Sequence, residues 1–187
     1  MKRHTSSKII LVDLDGPLAD LEGEFLARWK KKFPGEFFVP FEKRKTFFLR
    51  EEYPDHLKPK TEAVLRESGF FADLPIVPGS REALQTLHDT GYTIIICTAD
   101  IIANPTGLAD KRQWVRKYLG DDFAKGMIFT HDKTLIRGDY LIDDKPLIKG
   151  ALEPSWEHVI FDQPFNRDVT DKKRMKIDWS NWKELFT

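Results

Sequence analysis

The chain has 187 residues, 41% of them hydrophobic and 32% charged, which fits one globular domain with its own core and excludes a disordered or fibrous chain. Thirty Lys and Arg offset thirty Asp and Glu, so no net field draws the molecule toward a nucleic-acid polymer or a membrane surface. The single cysteine, Cys97, excludes an internal disulfide and a multi-cysteine zinc site. With no apolar run near the roughly 20 residues of a membrane span and no signal-peptide pattern, the expectation is a soluble cytoplasmic protein.

In chain order, residues 8–13 form a short, unbroken apolar run, the pattern of a strand covered on both faces in a parallel sheet. The segment that follows, 18–77, far exceeds the roughly 2–6 residues of an ordinary βα loop. It carries helical patches at 21–33, 43–53 and 60–71, broken by Pro34, Pro40, Pro54 and Gly69, and it is rich in aromatics such as Phe33, Phe47, Phe48 and Tyr53. This predicts a small helical subdomain inserted after the first strand, over the C-terminal edge of the sheet. Ser80 is the expected N-cap of a helix with Ala83, Leu84 and Leu87 on one face. Residues 92–98 form a second buried strand. A helix is expected over 110–119, with Trp114, Val115 and Tyr118 on one face and Gly120 as its stop. Weaker strands follow at 127–130, 140–143 and 158–161, and the tail reads as irregular until a short helix at 179–186. Strands alternating with helices at this spacing predict an α/β, doubly wound (Rossmann-like) parallel sheet. The core comprises 1–17 and 78–187, and 18–77 forms a helical cap.

Every candidate for chemistry falls at the C-terminal end of a predicted strand, where ligands bind in open α/β folds. Asp13 and Asp15 end the first strand, Thr98 the second and Asp143 with Asp144 the fourth, while Lys133 follows the third. One aspartate after a strand is usually a turn or cap residue. Several carboxylates converging on one edge repel one another and are tolerable mainly around a cation. All-oxygen ligands favour Mg²⁺, which accepts one or two carboxylates together with phosphate oxygens. A carboxylate can attack phosphorus, a second can shuttle the proton, and a lysine can offset the charge of the transferring phosphoryl group. No Walker loop, dinucleotide fingerprint or histidine metal motif is present, and Cys97 sits in an apolar run as a structural thiol.

The stretch Asp13-Leu-Asp-Gly-Pro-Leu-Ala-Asp20 resembles the first motif of the haloacid dehalogenase (HAD)-like phosphohydrolases, and Thr98, Lys133 and Asp143-Asp144 follow in that superfamily's order. Phe70-Phe-Ala-Asp-Leu-Pro-Ile-Val-Pro-Gly79, Ile96-Cys-Thr98, Asp132-Lys-Thr134, Leu141-Ile-Asp-Asp144 and Pro154-Ser-Trp-Glu-His158 resemble the 5′(3′)-deoxyribonucleotidases within it. The resemblance implies a magnesium-dependent phosphatase acting on nucleoside monophosphates, preferably deoxy ones. Carried onto this chain, it makes Asp13 the nucleophile and a metal ligand. Asp15 becomes the acid/base and binds the metal through its carbonyl, Asp144 is the third ligand and Asp143 supports it. Thr98, Ala99 and Lys133 bind phosphate, and Phe47, Phe48, Leu49 and Leu21 line the base and sugar side. Leu21 stands where the family often has phenylalanine, and Ala99-Asp100 where it usually has Ser-Pro, so both departures touch the substrate. The substrate is a small molecule, and a homodimer is left open. A receiver-type phospho-acceptor domain is the rival from another class, but it places its lysine last, whereas Asp143-Asp144 follow Lys133 here. A HAD phosphatase of another small phosphate ester is the rival from within.

Overall fold

The computed structural model describes residues 7–100 and 104–186, so positions 1–6, 101–103 and 187 of the expected core lie outside the described residues. Six parallel strands form one sheet: β1 (Ile9–Val12), β2 (Thr93–Thr98), β3 (Ile128–Phe129), β4 (Tyr140–Asp143), β5 (Glu157–Phe161) and β6 (Lys173–Met175). Their spatial order is β3-β2-β1-β4-β5-β6. The apolar run of β1 takes the centre, with Leu11 opposite Ile95 on one side and Leu141 on the other. Ile10, Leu11 and Val12 are wholly buried, which is why this strand shows no polar alternation. The chain builds outward from β1 to β2 and β3, then crosses to β4, so the strand order reverses between β1 and β4. That crevice is where a doubly wound sheet binds ligands.

The helices are α1 (Leu21–Lys32), α2 (Lys58–Leu65), α3 (Ser80–Asp89), α4 (Gly107–Tyr118), α5 (Asp121–Lys125) and α6 (Trp182–Phe186). Three expectations need correction. Ser80 is the first helical residue rather than the cap. Gly79 takes the cap position at φ +79°, and the Ser80 hydroxyl donates to the Val77 carbonyl instead. The patch at 43–53 is no α-helix but an extended strap between two 3₁₀ turns, Phe41–Lys43 and Leu49–Glu52. The Arg44 guanidinium takes the carbonyls of Thr46 and Phe47, and Glu52 accepts from the amides of Lys45 and Thr46, so side chains replace helical bonds there. The tail is not irregular throughout, because β6 adds a three-residue edge strand whose Lys-Arg-Met sequence has no apolar run to announce it.

Segment 18–77 closes at its own root. Val77 donates to the Leu18 carbonyl and Asp20 to that of Pro75, each at 2.8 Å, and Ala19 bridges Ile76. Phe25, Trp29 and Tyr53 are buried within it, with the Trp29 and Tyr53 rings 4.8 Å apart, and this cluster is continuous with the core of the sheet.

Beyond β5 the wholly buried Asn166 donates to the carbonyls of Asp144 and Phe161, both at 2.8 Å. Arg174 of β6 donates to the Asn166 side chain at 2.8 Å and to the Val169 carbonyl at 2.7 Å, so the edge strand fastens the loop after β4. Asn166→Ala leaves these buried carbonyls unpaired and should destabilise the fold by about 1–3 kcal/mol in urea titration. A wild-type midpoint would show that the loop is held another way.

Candidate active site

The ends of β1, β2 and β4 and the turn after β3 meet at the crevice between β1 and β4. Asp13 follows β1, and its amide donates to the Ile142 carbonyl at 2.9 Å, which keeps the strand alignment up to the carboxylate. The Lys133 ammonium pairs with Asp13 at 2.9 Å and with Asp143. The other oxygen of Asp143 accepts from the Lys145 amide at 2.9 Å. One carboxylate oxygen each of Asp13, Asp143 and Asp144 lies within 4.8 Å of the others, a cluster able to hold a metal ion.

Burial governs the charges here. It pushes the Asp13 carboxyl up to about 6, with Lys133 opposing and Asp143 and Asp15 adding to the rise. Burial and then the charges of Asp143 and Asp13 hold Asp144 well above the usual carboxylate range. Burial also disfavours the charge on Lys133, but Asp13 and Asp143 outweigh it and keep the ammonium above its ordinary pKa. Gly16 adopts φ +96°, and a Cβ there would overlap an oxygen of Asp144, so only glycine lets the loop after β1 pass so close to that carboxylate.

Asp15 is also buried. One of its oxygens accepts from the Lys111 ammonium at 2.6 Å, and the other has no hydrogen-bond partner among the described residues. Lys111, wholly buried on α4, also reaches Thr98 Oγ1 at 3.3 Å and the Ala99 carbonyl. Thr98 itself is wholly buried and lies behind the cavity wall, whereas Ala99 lines it.

Above these groups opens a cavity of about 920 Å³. Asp13, Asp15, Lys133, Asp143 and Asp144 form its floor. Leu21, Phe47, Phe48, Leu49 and Phe165 give it an apolar wall, so the expected substrate-side residues of 18–77 face the floor across one space. Phe48 is 62% exposed and Phe47 stands edge-on to both Phe48 and Phe165, at 5.2 and 5.8 Å. The strap that carries them is held by Arg44, buried and paired with Glu22 of α1, its guanidinium 5.4 Å from the Phe165 ring. Lys111, Arg44 and Asn166 escaped the sequence reading. The only sign of Lys111 was its place three and four residues before Trp114 and Val115, on the apolar face of the helix.

The parallel sheet and its covering helices have the fold of two solved HAD-like structures. A HAD family hydrolase from Deinococcus radiodurans R1, solved with bound phosphate and sodium, superposes with a TM-score of 0.51 over 84% of each chain at 16% identity. A HAD-like protein from Burkholderia xenovorans LB400 superposes with a TM-score of 0.53 over 96% of each chain, also at 16% identity. Residues 7–187 match the family described as 5′ nucleotidase, deoxy (pyrimidine), cytosolic type C, and the chain belongs to that family. A Bordetella pertussis relative is 44% identical over 178 residues, 95% of both chains. The human cytosolic-type 5′(3′)-deoxyribonucleotidase is 40% identical over 186 residues, covering 95% of this chain and 92% of that one. The human mitochondrial 5′(3′)-deoxyribonucleotidase is 37% identical, covering 95% and 81%.

The raised pKa of Asp13 fixes the sign of a pH effect on the metal-free protein. A carboxyl raised by folding stabilises the native state fully below its ordinary value of 3.8, and this contribution is lost as pH rises through about 6. Asparagine does not titrate. In EDTA, the stability of the wild type relative to Asp13→Asn should therefore fall by about 1–3 kcal/mol between pH 4 and 6, read from urea midpoints. A difference independent of pH would contradict this charge balance.

Proposed function

We propose that the chain is a magnesium-dependent phosphatase that hydrolyses (deoxy)ribonucleoside monophosphates to nucleoside and phosphate through an aspartyl-phosphate on Asp13. The observation that carries this reading is the single cavity with a carboxylate-and-lysine floor and an aromatic wall. Family membership and the human relatives named as 5′(3′)-deoxyribonucleotidases support it.

The donor set fits Mg²⁺. It is all oxygen, its carboxylates lie close enough to share one ion, and burial leaves Asp13 and Asp144 short of neutralising charge. Both oxygens of Asp143 are already engaged, one by Lys133 and the other by the Lys145 amide. Asp13 and Asp144 are therefore the carboxylates that would hold the metal, with the Asp15 carbonyl, while Asp143 supports from the side. When bound, the ion supplies a positive centre that polarises the phosphoryl oxygens.

The Asp13 carboxylate attacks phosphorus, the bond from phosphorus to the nucleoside oxygen breaks, and Asp15 gives that oxygen its proton. Asp15 then takes a proton from water as it attacks the aspartyl-phosphate, which releases inorganic phosphate and restores Asp13. Lys133, already paired to the nucleophile, offsets the negative charge of the transferring group, and Thr98 and Ala99 close the phosphate site. Segment 18–77 acts as the cap and brings Phe47, Phe48, Leu49 and Leu21 against the base and sugar. The proposed setting is the cytoplasm.

Phosphate release from a panel of ribo- and deoxyribonucleotides tests the reading. Activity should require Mg²⁺, and Asp13→Asn should fold with essentially no turnover. Full activity in excess EDTA, or in that variant, would overturn it. Base stacking on an aromatic side chain contributes about 1–3 kcal/mol, so Phe48→Ala should raise KM for nucleotides roughly tenfold while sparing p-nitrophenyl phosphate. Where the side formed by Leu21, Phe47 and Phe48 covers the sugar, it offers no partner to a ribose 2′-hydroxyl, and burying that group unpaired costs about 1–3 kcal/mol. The expected preference for dUMP over UMP is thus roughly tenfold in kcat/KM, and equal hydrolysis of the two would remove it.

A further inference from the structure

Lys111 is a lysine with no exposed surface, placed on α4 and outside the lining of the cavity. An ammonium has three hydrogens to donate and no capacity to accept. All three find acceptors here: Asp15 Oδ2 at 2.6 Å, Thr98 Oγ1 at 3.3 Å and the Ala99 carbonyl. Its remaining side lies 4.7 Å from the centre of the Phe71 ring, which favours a cation over a neutral group. Nothing is left over for a substrate, and Lys111 does not line the cavity. It therefore joins the loop after β1, at the Asp15 side chain, to the end of β2, at the Thr98 hydroxyl and the Ala99 carbonyl.

We infer that Lys111 is a positioning residue for the proton transfers: it holds Asp15 by one carboxylate oxygen and registers that carboxyl against the Thr98–Ala99 end of β2. This rests on the proposed function, in which Asp15 serves both half-reactions. The carboxyl of Asp15 would otherwise be free to rotate about its side-chain torsions. Misplacement of a reacting group by about 1 Å can cost on the order of 100-fold in rate.

p-Nitrophenyl phosphate separates this role from a purely structural one, because its leaving group scarcely needs a proton. Asp13 is then phosphorylated without help from Asp15, whereas release of phosphate from Asp13 still needs it. Lys111→Met, similar in length and without donors, should give a burst of one p-nitrophenol per active site followed by a steady rate reduced about 10- to 100-fold, with KM falling in step so that kcat/KM is nearly unchanged. In an Asp15→Asn background the same substitution should cost nothing further, since residues acting through one group are non-additive. Asp15→Asn also removes the buried charge that Lys111→Met leaves uncompensated, so the double variant keeps the comparison readable if the single one does not fold. Lys111→Arg, which keeps the charge, should recover part of the rate. A wild-type steady rate in Lys111→Met, a folded variant with no burst, or a full additional loss in the double variant would each overturn the role. A wild type that releases no phosphate from any substrate would instead overturn the phosphatase reading itself.

Discussion

Lys133 stands between Asp13 and Asp143, and the rest of the site is arranged around that buried ammonium. Without it, three aspartates could not crowd the end of the sheet, since each would be desolvated beside like charges. One ammonium does not suffice. Asp13, Asp15, Asp143 and Asp144 present four carboxyl groups to two ammonium groups, Lys133 and Lys111, which leaves two negative charges over when all are ionised. Burial first, and then the neighbouring like charges, raise the pKa values of Asp13 and Asp144 in the metal-free protein. A divalent cation on this floor would cancel those two charges and shift the balance toward ionised Asp13, the form that can attack phosphorus.

The apolar wall is not independent of this floor. Phe47 packs against Phe165, and the next residue, Asn166, holds the carbonyl of Asp144. Arg44 fixes the Phe47 carbonyl from one side and faces the Phe165 ring from the other. A path of contacts therefore runs from the strap over the cavity to the backbone of Asp144, a member of the acidic cluster. Arg44 is buried and ion-paired with Glu22, so the strap keeps its shape by buried charge rather than by helical hydrogen bonds.

The β1, β2 and β4 strands were legible because a strand covered on both faces carries an unbroken apolar run, and the site aspartates were legible because they terminate those runs. Their convergence needed only the rule that ligands gather at the C-terminal edge of a parallel sheet. What stayed hidden has a common cause. Lys111 looks like any helical lysine until the fold brings Asp15 to it. The strap at 43–53 has helix-compatible residues, but Arg44 and Glu52 satisfy its backbone through side chains that no local pattern announces. The edge strand β6 is three residues long, two of them charged, and is held where Arg174 reaches the loop after β5. In each case polar side-chain contacts carry the arrangement, and sequence periodicity reports only apolar burial.

The central claim is covalent: phosphate passes through Asp13. Its most direct measurement is rapid acid quenching of the enzyme during turnover of a labelled deoxynucleotide, followed by borohydride reduction and peptide mapping. An aspartyl-phosphate is an acyl phosphate, so reduction converts the carrying aspartate to homoserine. The account predicts homoserine at position 13, formed in proportion to trapped label and absent without substrate. Label and homoserine at another residue, or steady turnover with no acid-stable label at early quench times and unmodified Asp13, would contradict it.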